Sequence, residues 1–292
     1  MGSSCRVVAP DETLARRAVE LVEQLERTWS RFLPESEVSA VNAASGRLTI
    51  VSEVTFELIA HAERARSATN DAFNPLMLDQ LAALGYDRSW PTLSDGRGVV
   101  EDAIGPGTKV AIELFPELSA VRLPDGASFD PGGIGKGLAG DMVAAALVAD
   151  GATSVQLELG GDVRVVGPSW DGGPWQVSVD DSDHHAPDAA TVTLPEGGVA
   201  TSSVRRRRWR RGDAEYHHLI DPRTGRSAST DLDAVTAVAP TLWWAEVVAK
   251  VALVSGWAAA RTFMSDVGVS GLLVPAGATG RYDVVDRPRR AA

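Results

Sequence analysis

Five glycines and one lysine occupy the twelve residues Asp130-Pro-Gly-Gly-Ile-Gly-Lys-Gly-Leu-Ala-Gly-Asp141, directly ahead of an apolar run that reads as a helix over 138–149. The chain carries three lysines, Lys109, Lys136 and Lys250, among its 28 Lys and Arg residues. A helix start already holds partial positive charge and unpaired N–H groups, so a cation there calls for an anion. Phosphate is the usual guest, and glycine lets backbone approach it closely. The residues therefore read as a phosphate-bearing ligand at Lys136. A Walker P-loop fails, because Asp130 and Gly137 stand where it needs Gly and Ser or Thr. Gly135, Gly137 and Gly140 match the spacing of a dinucleotide fingerprint, with Glu158 beyond them. The stretch before them is a poor buried strand, and a flexible turn before a capped helix fits the same residues.

A second group is His218-Leu-Ile-Asp-Pro-Arg-Thr-Gly225, where Asp-Pro and Thr-Gly each signal a turn. The spacing brings His218 and Asp221 toward one strand end, where a His beside a carboxylate can act as general base. A surface hairpin with a solvated His is the other reading. Third, Thr201-Ser202-Ser203-Val204 precedes Arg205–Arg208, Trp209, Arg210 and Arg211. Six arginines around a tryptophan can grip phosphates or stack on bases, or simply line a solvated edge strand. Asp180, Asp181, Asp183, His184 and His185 lack regular ligand spacing and read as a polar hairpin loop. Trp243-Trp244 reads as core and helix packing.

The elements that must position these groups follow from periodicity. Leu14, Ala18, Leu21, Val22, Leu25 and Trp29 give an amphipathic helix capped by Asp11 and ending near Ser30. A second helix is expected over 52–68, with Ser52 as cap, and another over 241–255 closed by Gly256. Strands are expected at Lys109–Leu114, at Val155–Leu159 and Val163–Val166 joined through Gly160-Gly161-Asp162, and at Trp175–Val179, Thr191–Leu194 and Ala234–Val238. Helices and strands mix without a βαβ rhythm, so the fold class is α+β, with mixed or antiparallel sheets flanked by helices. No repeat or biased linker divides 1–292, which reads as a single domain. The net charge of −11 argues against binding to nucleic acid or anionic membrane. One cysteine, Cys5, excludes an internal disulfide framework. Residues 1–10 show no secretory pattern and no long uncharged apolar run occurs, so a cytoplasmic protein without membrane insertion is expected.

Taken in order, these segments resemble the ApbE family, flavin transferases that move FMN from FAD onto a target protein. Trp29-Ser-Arg-Phe-Leu-Pro-Glu-Ser-Glu-Val-Ser-Ala-Val-Asn42 resembles its opening segment and Ala72-Phe73-Asn74-Pro75 its Phe-Asp-Pro. Asp130–Asp141 resembles its glycine motif, and Leu159–Val163, Ala200–Ser202, His218–Gly225 and Val238–Thr241 follow in register. The resemblance runs from about residue 28 to residue 274. It implies an α+β fold with an FAD groove, in which Trp29, Ala72, Phe73, Asn74, Asp130, Lys136 and Ala228 contact FAD. It also implies Mg²⁺ held by the backbone carbonyl of Gly133 and by side chains at two positions one helical turn apart. Those positions hold Glu246 and Lys250 here.

A protonated lysine has donors and no acceptor, so Lys250 cannot ligate Mg²⁺. Three readings stay open: Lys250 replaces part of the metal's charge, metal binds through Glu246 and Gly133 alone, or FAD is bound and not turned over. Trp29 for Met, Asn74 for Asp, Gly135 for Ala and Ser203 for Gly are further departures from the family pattern. The implied reaction is attack by a Ser or Thr hydroxyl of a target protein on the FMN-side phosphorus of FAD, with AMP leaving. His218 is the expected base, Asp221 its support and Lys136 the group that stabilises the diphosphate. The alternatives are an FAD carrier or FAD pyrophosphatase of the same fold and, more remotely, an NAD-dependent dehydrogenase.

Overall fold

A computed structural model of the chain describes residues 4–89, 105–179, 190–278 and 281–286. The Asp180–His185 group lies outside the described residues. The chain forms two compact units, one from Gln24–Gly135 and Arg206–Ser229, the other from Ser3–Glu23, Lys136–Arg205 and Thr230–Ala292. Helix α1 (Glu12–Trp29) runs from the second into the first. Its predicted stripe is realised: Ala18, Val22, Leu25 and Trp29 are buried, and the Asp11 carboxylate accepts the Leu14 N–H at 2.9 Å.

The first unit holds helices α2 (Glu37–Ala43), α3 (Glu53–Ala68) and α4 (Leu78–Ala83). Strands β2 (Thr49–Ile50), β3 (Glu113–Phe115) and β4 (Ala120–Arg122) make a small antiparallel sheet in the order β2-β4-β3. Two antiparallel pairs complete it, β10 (Arg208–Arg211) with β11 (Ala214–His217), and β12 (Ile220–Asp221) with β13 (Arg226–Ser227). Helix α3 begins where expected, but Ser52 does not cap it with its side chain; its hydroxyl donates to Glu37 Oε2 at 2.7 Å. The strand expected at Lys109–Leu114 is shorter and later, at Glu113–Phe115. The physical reason is that side chains take the backbone hydrogen bonds of this stretch. Thr108 O accepts from Asn74, Lys109 O from Arg66, and the Ile112 N–H donates to Glu63.

The second unit is built on a seven-stranded antiparallel sheet. Its strands are β1 (Cys5–Val8), β5 (Val155–Leu159), β6 (Asp162–Val166), β9 (Gly197–Ser203), β14 (Leu232–Ala239), β15 (Ser270–Pro275) and β16 (Asp283–Val285), in that spatial order. Strands β7 (Trp175–Val179) and β8 (Ala190–Leu194) pair separately. Helix α6 (Leu242–Ser255) packs on β9 and β14, and α7 (Trp257–Asp266) on β15. Nearly every residue of α6 from Ala245 to Val254 is buried, as befits a helix apolar on all sides. Among the described residues no helix is long and apolar enough to cross a membrane.

Helix α5 (Gly135–Ala149) starts three residues before the expected 138. The Ile134 and Gly135 N–H groups both close onto Pro131 O, which drives the chain into helix early. Lys136 and Gly137 therefore sit in the first helical turn, not in a loop. No strand occupies 123–134, so the context that a dinucleotide fingerprint requires is missing.

Candidate functional site

Lys136 is the centre of a buried charge cluster within the second unit. Its ammonium donates to Asp162 Oδ2 and to Glu246 Oε1, while Glu246 Oε2 accepts the Gly137 N–H at 2.8 Å. Asp162 and Glu246 are both buried. Burial alone would lower the Lys136 pKa; the two carboxylates outweigh it and hold it well above the usual lysine range. Lys136 is thus a fixed cation, not a proton acceptor. Asp162 Oδ1 also takes the Thr201 N–H at 3.0 Å, and Thr201 Oγ1 lies 2.9 Å from Thr236 Oγ1. The β5–β6 hairpin supplies Asp162, the start of α5 supplies Lys136, and α6 supplies Glu246.

Glycines let these elements close. A Cβ on Gly137 would stand 2.5 Å from Trp243 Cα, and one on Gly198 2.4 Å from Leu242 Cα. The start of α6 is therefore seated against α5 on one side and β9 on the other. Asp141 completes the seat: its carboxylate accepts the Leu242 and Trp243 N–H groups at 3.0 and 2.9 Å, and Arg164 Nε lies 2.8 Å from Oδ1. Burial pushes the Asp141 carboxyl up, opposed by those N–H groups and by Arg164.

In the first unit, Asp130 is paired with buried Arg31, Nε to Oδ1 at 3.1 Å. Arg31 also donates twice to Tyr86 O at 3.1 Å and lies over the rings of Phe32 and Tyr86. The Asn42 side chain holds the approach to Asp130 by accepting from Phe129 N at 2.7 Å and donating to Phe129 O at 3.0 Å. Asn74, expected at FAD, has both ends of its amide committed: Oδ1 accepts Leu76 N and Nδ2 donates to Thr108 O, each at 2.9 Å. Trp29 and Phe73 are core side chains, each 2% exposed. The Trp29 Nε1–H is buried and meets no acceptor among the described residues. Ala72 is half-buried and Ala228 and Gly133 are buried.

His218 lies between β11 and β12, half-buried, and Asp221 ends β12. Asp221 has a partner that the sequence reading did not name. Arg223 donates to it from the backbone at 2.9 Å, from Nε at 3.0 Å and from Nη2 at 2.8 Å. Burial raises the Asp221 carboxyl, but Arg223 outweighs it and holds it below the usual carboxylate range. Next door, His217 spans Ala228 O (Nε2, 3.1 Å) and Leu219 N (Nδ1, 3.3 Å), and burial pushes its pKa down. Of the Arg-rich stretch only Arg208–Arg211 is strand, one side of the β10–β11 hairpin, with Trp209 turned inward and its Nε1 donating to Leu84 O at 2.8 Å; residues 205–207 precede it as a turn.

A family model described as the ApbE family matches residues 1–273. This chain belongs to the ApbE family. It is 28% identical to the FAD:protein FMN transferase of Treponema pallidum over 284 residues, covering 88% of this chain and 77% of that protein. It is 27% identical to one from Klebsiella pneumoniae, covering 80% and 72%. The fold is similar to the crystal structure of the ApbE protein from Thermotoga maritima, with TM-score 0.85, 25% identity and coverage of 97% and 94%. It also matches the apo flavinyl transferase ApbE of Pseudomonas stutzeri, with TM-score 0.81, 22% identity and coverage of 99% and 92%.

The Mg²⁺ that the family resemblance implies does not fit the residues present. Both Glu246 oxygens are engaged inside the protein, and position 250 offers an ammonium. Among the described residues no three His, Cys, Asp or Glu side chains gather as a metal centre. Asp162, Asp141, Arg31 and Arg223 were not singled out from sequence, although each lies in or beside a quoted motif. Within the Lys136 cluster alone the partners are 26 to 110 residues apart, which spacing cannot reveal.

Proposed function

We propose that this ApbE-family chain is an FAD:protein FMN transferase, attaching FMN from FAD to a Ser or Thr hydroxyl of a target protein and releasing AMP. The observation that carries the reading is Lys136, a permanently charged, anchored cation inside the glycine motif that the resemblance assigns to FAD. The names of the relatives from Treponema and Klebsiella support it. The acceptor oxygen forms a bond to the FMN-side phosphorus, the bond from that phosphorus to the bridging oxygen breaks, and AMP carries the bridging oxygen away. The acceptor's proton passes to His218, with Asp221 supporting the turn that holds it. Lys136 offsets the charge of the diphosphate. Such transfer depends on position and electrostatics more than on covalent chemistry by the protein.

Trp29, Ala72, Phe73, Asn74, Asp130 and Ala228 are proposed to border FAD. The committed amide of Asn74 and the ion pair of Asp130 give these two a shaping role. The buried Trp29 Nε1–H is a donor that a flavin acceptor would satisfy. The proposed location is the cytoplasm and the proposed partners are FAD and the target protein, without nucleic acid. Incubation of the purified chain with FAD and host-cell extract depleted of it tests the reading, with AMP followed by chromatography and covalent flavin by in-gel fluorescence. A fluorescent band that grows with AMP supports transfer. AMP and free FMN without a band mean a pyrophosphatase, and bound FAD without AMP means a carrier. In single-turnover transfer, His218→Ala is expected to lose about 100-fold or more; retention within about threefold would remove His218 from the role.

A further inference from the structure

Residues 105–112 lie in the first unit as a strap with no helix or strand of their own. The strap is pinned at four separate points. Asn74 Nδ2 donates to Thr108 O at 2.9 Å, and Arg66 Nη1 donates to Lys109 O at 3.3 Å. The Ile112 N–H donates to Glu63 Oε2 at 3.2 Å, and the Gly107 N–H donates to Pro222 O at 2.9 Å. Gly105, Lys109 and Val110 are exposed.

Two of these pins join segments that the family resemblance assigns to the proposed site. Asn74 belongs to Ala72–Pro75, and Pro222 belongs to His218–Gly225. A third such segment is tied to the same place, because the Asp130 N–H donates to Pro75 O at 2.8 Å. The strap fits closely where it meets Asn74. A Cβ on Gly107 would stand 2.4 Å from Met77 Sδ and 2.7 Å from Asn74 Nδ2.

Asn74 stands where the family pattern has Asp, and the strap makes use of the difference. An amide both accepts and donates, whereas an ionised carboxylate only accepts. Asn74 does both: Oδ1 accepts the Leu76 N–H at 2.9 Å while Nδ2 reaches Thr108 O. An Asp could keep the first bond, but at the second it would set an anionic oxygen against a carbonyl oxygen. Segments held by a few separate bonds open at low cost, and such openings often govern ligand release.

We infer that residues 105–112 form a latch on FAD exchange. Asn74 is its positioning residue: it holds the strap to the Ala72–Pro75 segment while Pro222 holds it to the His218 turn, and FAD leaves when the strap lifts. The inference rests on the FAD reading above. It gives Asn74 a role through the strap, with no bond to the ligand required.

Amide-resolved hydrogen exchange of the intact chain, with and without FAD, tests this together with stopped-flow release of FAD followed by flavin fluorescence. In wild type, bound FAD is expected to slow exchange of the Gly107 N–H about tenfold more than that of the Ile112 N–H, which is pinned separately by Glu63. Asn74→Asp is expected to expose the Gly107 N–H, leave Ile112 protected and speed FAD release about tenfold or more. Gly107→Ala lifts the strap by another route and is expected to do the same. The double variant is expected to release FAD no more than about threefold faster than either single variant, since both open one latch. Protection retained at Ile112 shows that a variant is folded, and the wild-type comparison stands whether or not the variants fold. An equal effect of FAD on the two wild-type amides overturns the inference and leaves the FAD reading intact. Asn74→Asp, folded, with FAD release within about twofold of wild type does the same. Failure of wild type to bind FAD overturns both readings.

Discussion

His217 is a largely buried histidine whose protonation is linked to folding. Its two ring nitrogens face a carbonyl and an N–H, an arrangement met by the neutral ring carrying its proton on Nε2. Burial holds its pKa below the ordinary 6.5, so the unfolded chain binds a proton that the native state refuses. The contribution to stability is complete above about 6.5 and is lost as pH falls toward the lower native value. A melting series from pH 8 to 5 is expected to show a decline in Tm that is smaller in His217→Gln. An equal decline in the variant would assign the effect elsewhere. At Gly137 the constraint is steric. Any Cβ would meet Trp243 Cα at 2.5 Å, with backbone on the other side of the contact, so Gly137→Ala is expected to cost about 1–3 kcal/mol in urea unfolding.

At the scale of elements, the start of α6 is held by other parts of the second unit. Thr241 stands at its N-cap without a side-chain bond, and Asp141 of α5 supplies the acceptor from 101 residues away. Asp141→Ala removes that cap and leaves Arg164 with only the longer 3.4 Å contact to exposed Glu196 and the Val165 carbonyl, and is expected to destabilise the protein by about 2 kcal/mol or more. Chemical denaturation measures it, and a loss below about 1 kcal/mol would mean that α6 is seated by packing alone. The same interaction shows how far sequence reading reaches. The period of α1, the Gly160-Gly161 hairpin and the apolar run of α6 are local signals, and each element forms where its residues predict. The seating of α5's first turn and the late start of the strand expected at Lys109–Leu114 depend on groups distant in the chain: the Trp243 backbone for one, Asn74, Arg66 and Glu63 for the other. For the candidate site, Lys136, Glu246, Asp130 and the His218 segment could be found by motif. The carboxylates and arginines that fix their charge states could not, because ion pairs across the fold leave no period behind.

For the whole molecule, neither unit is a continuous piece of chain. The large sheet draws β1 from the first residues, β5, β6 and β9 from the middle, and β14, β15 and β16 from the end. A fragment of 136–205 holds β5, β6 and β9 without β1 and β14, which flank them in the sheet. Two open edges and an uncovered apolar face are expected to leave that fragment aggregated or rapidly digested, whereas the intact chain resists limited proteolysis. A soluble, protease-resistant fragment would contradict this. The pairing of Cys5 with Leu159 and of Ala234 with Ser203 has a further meaning for a chain made from its N-terminus on a ribosome. Strand β1 emerges with no neighbour and waits until β5, at Val155–Leu159, has been made. The strand that covers β9 comes later still. Such long closures are slow and leave strand edges bare meanwhile, so the rate of synthesis and the help of chaperones, as much as the final energy, set how much active protein a cell obtains.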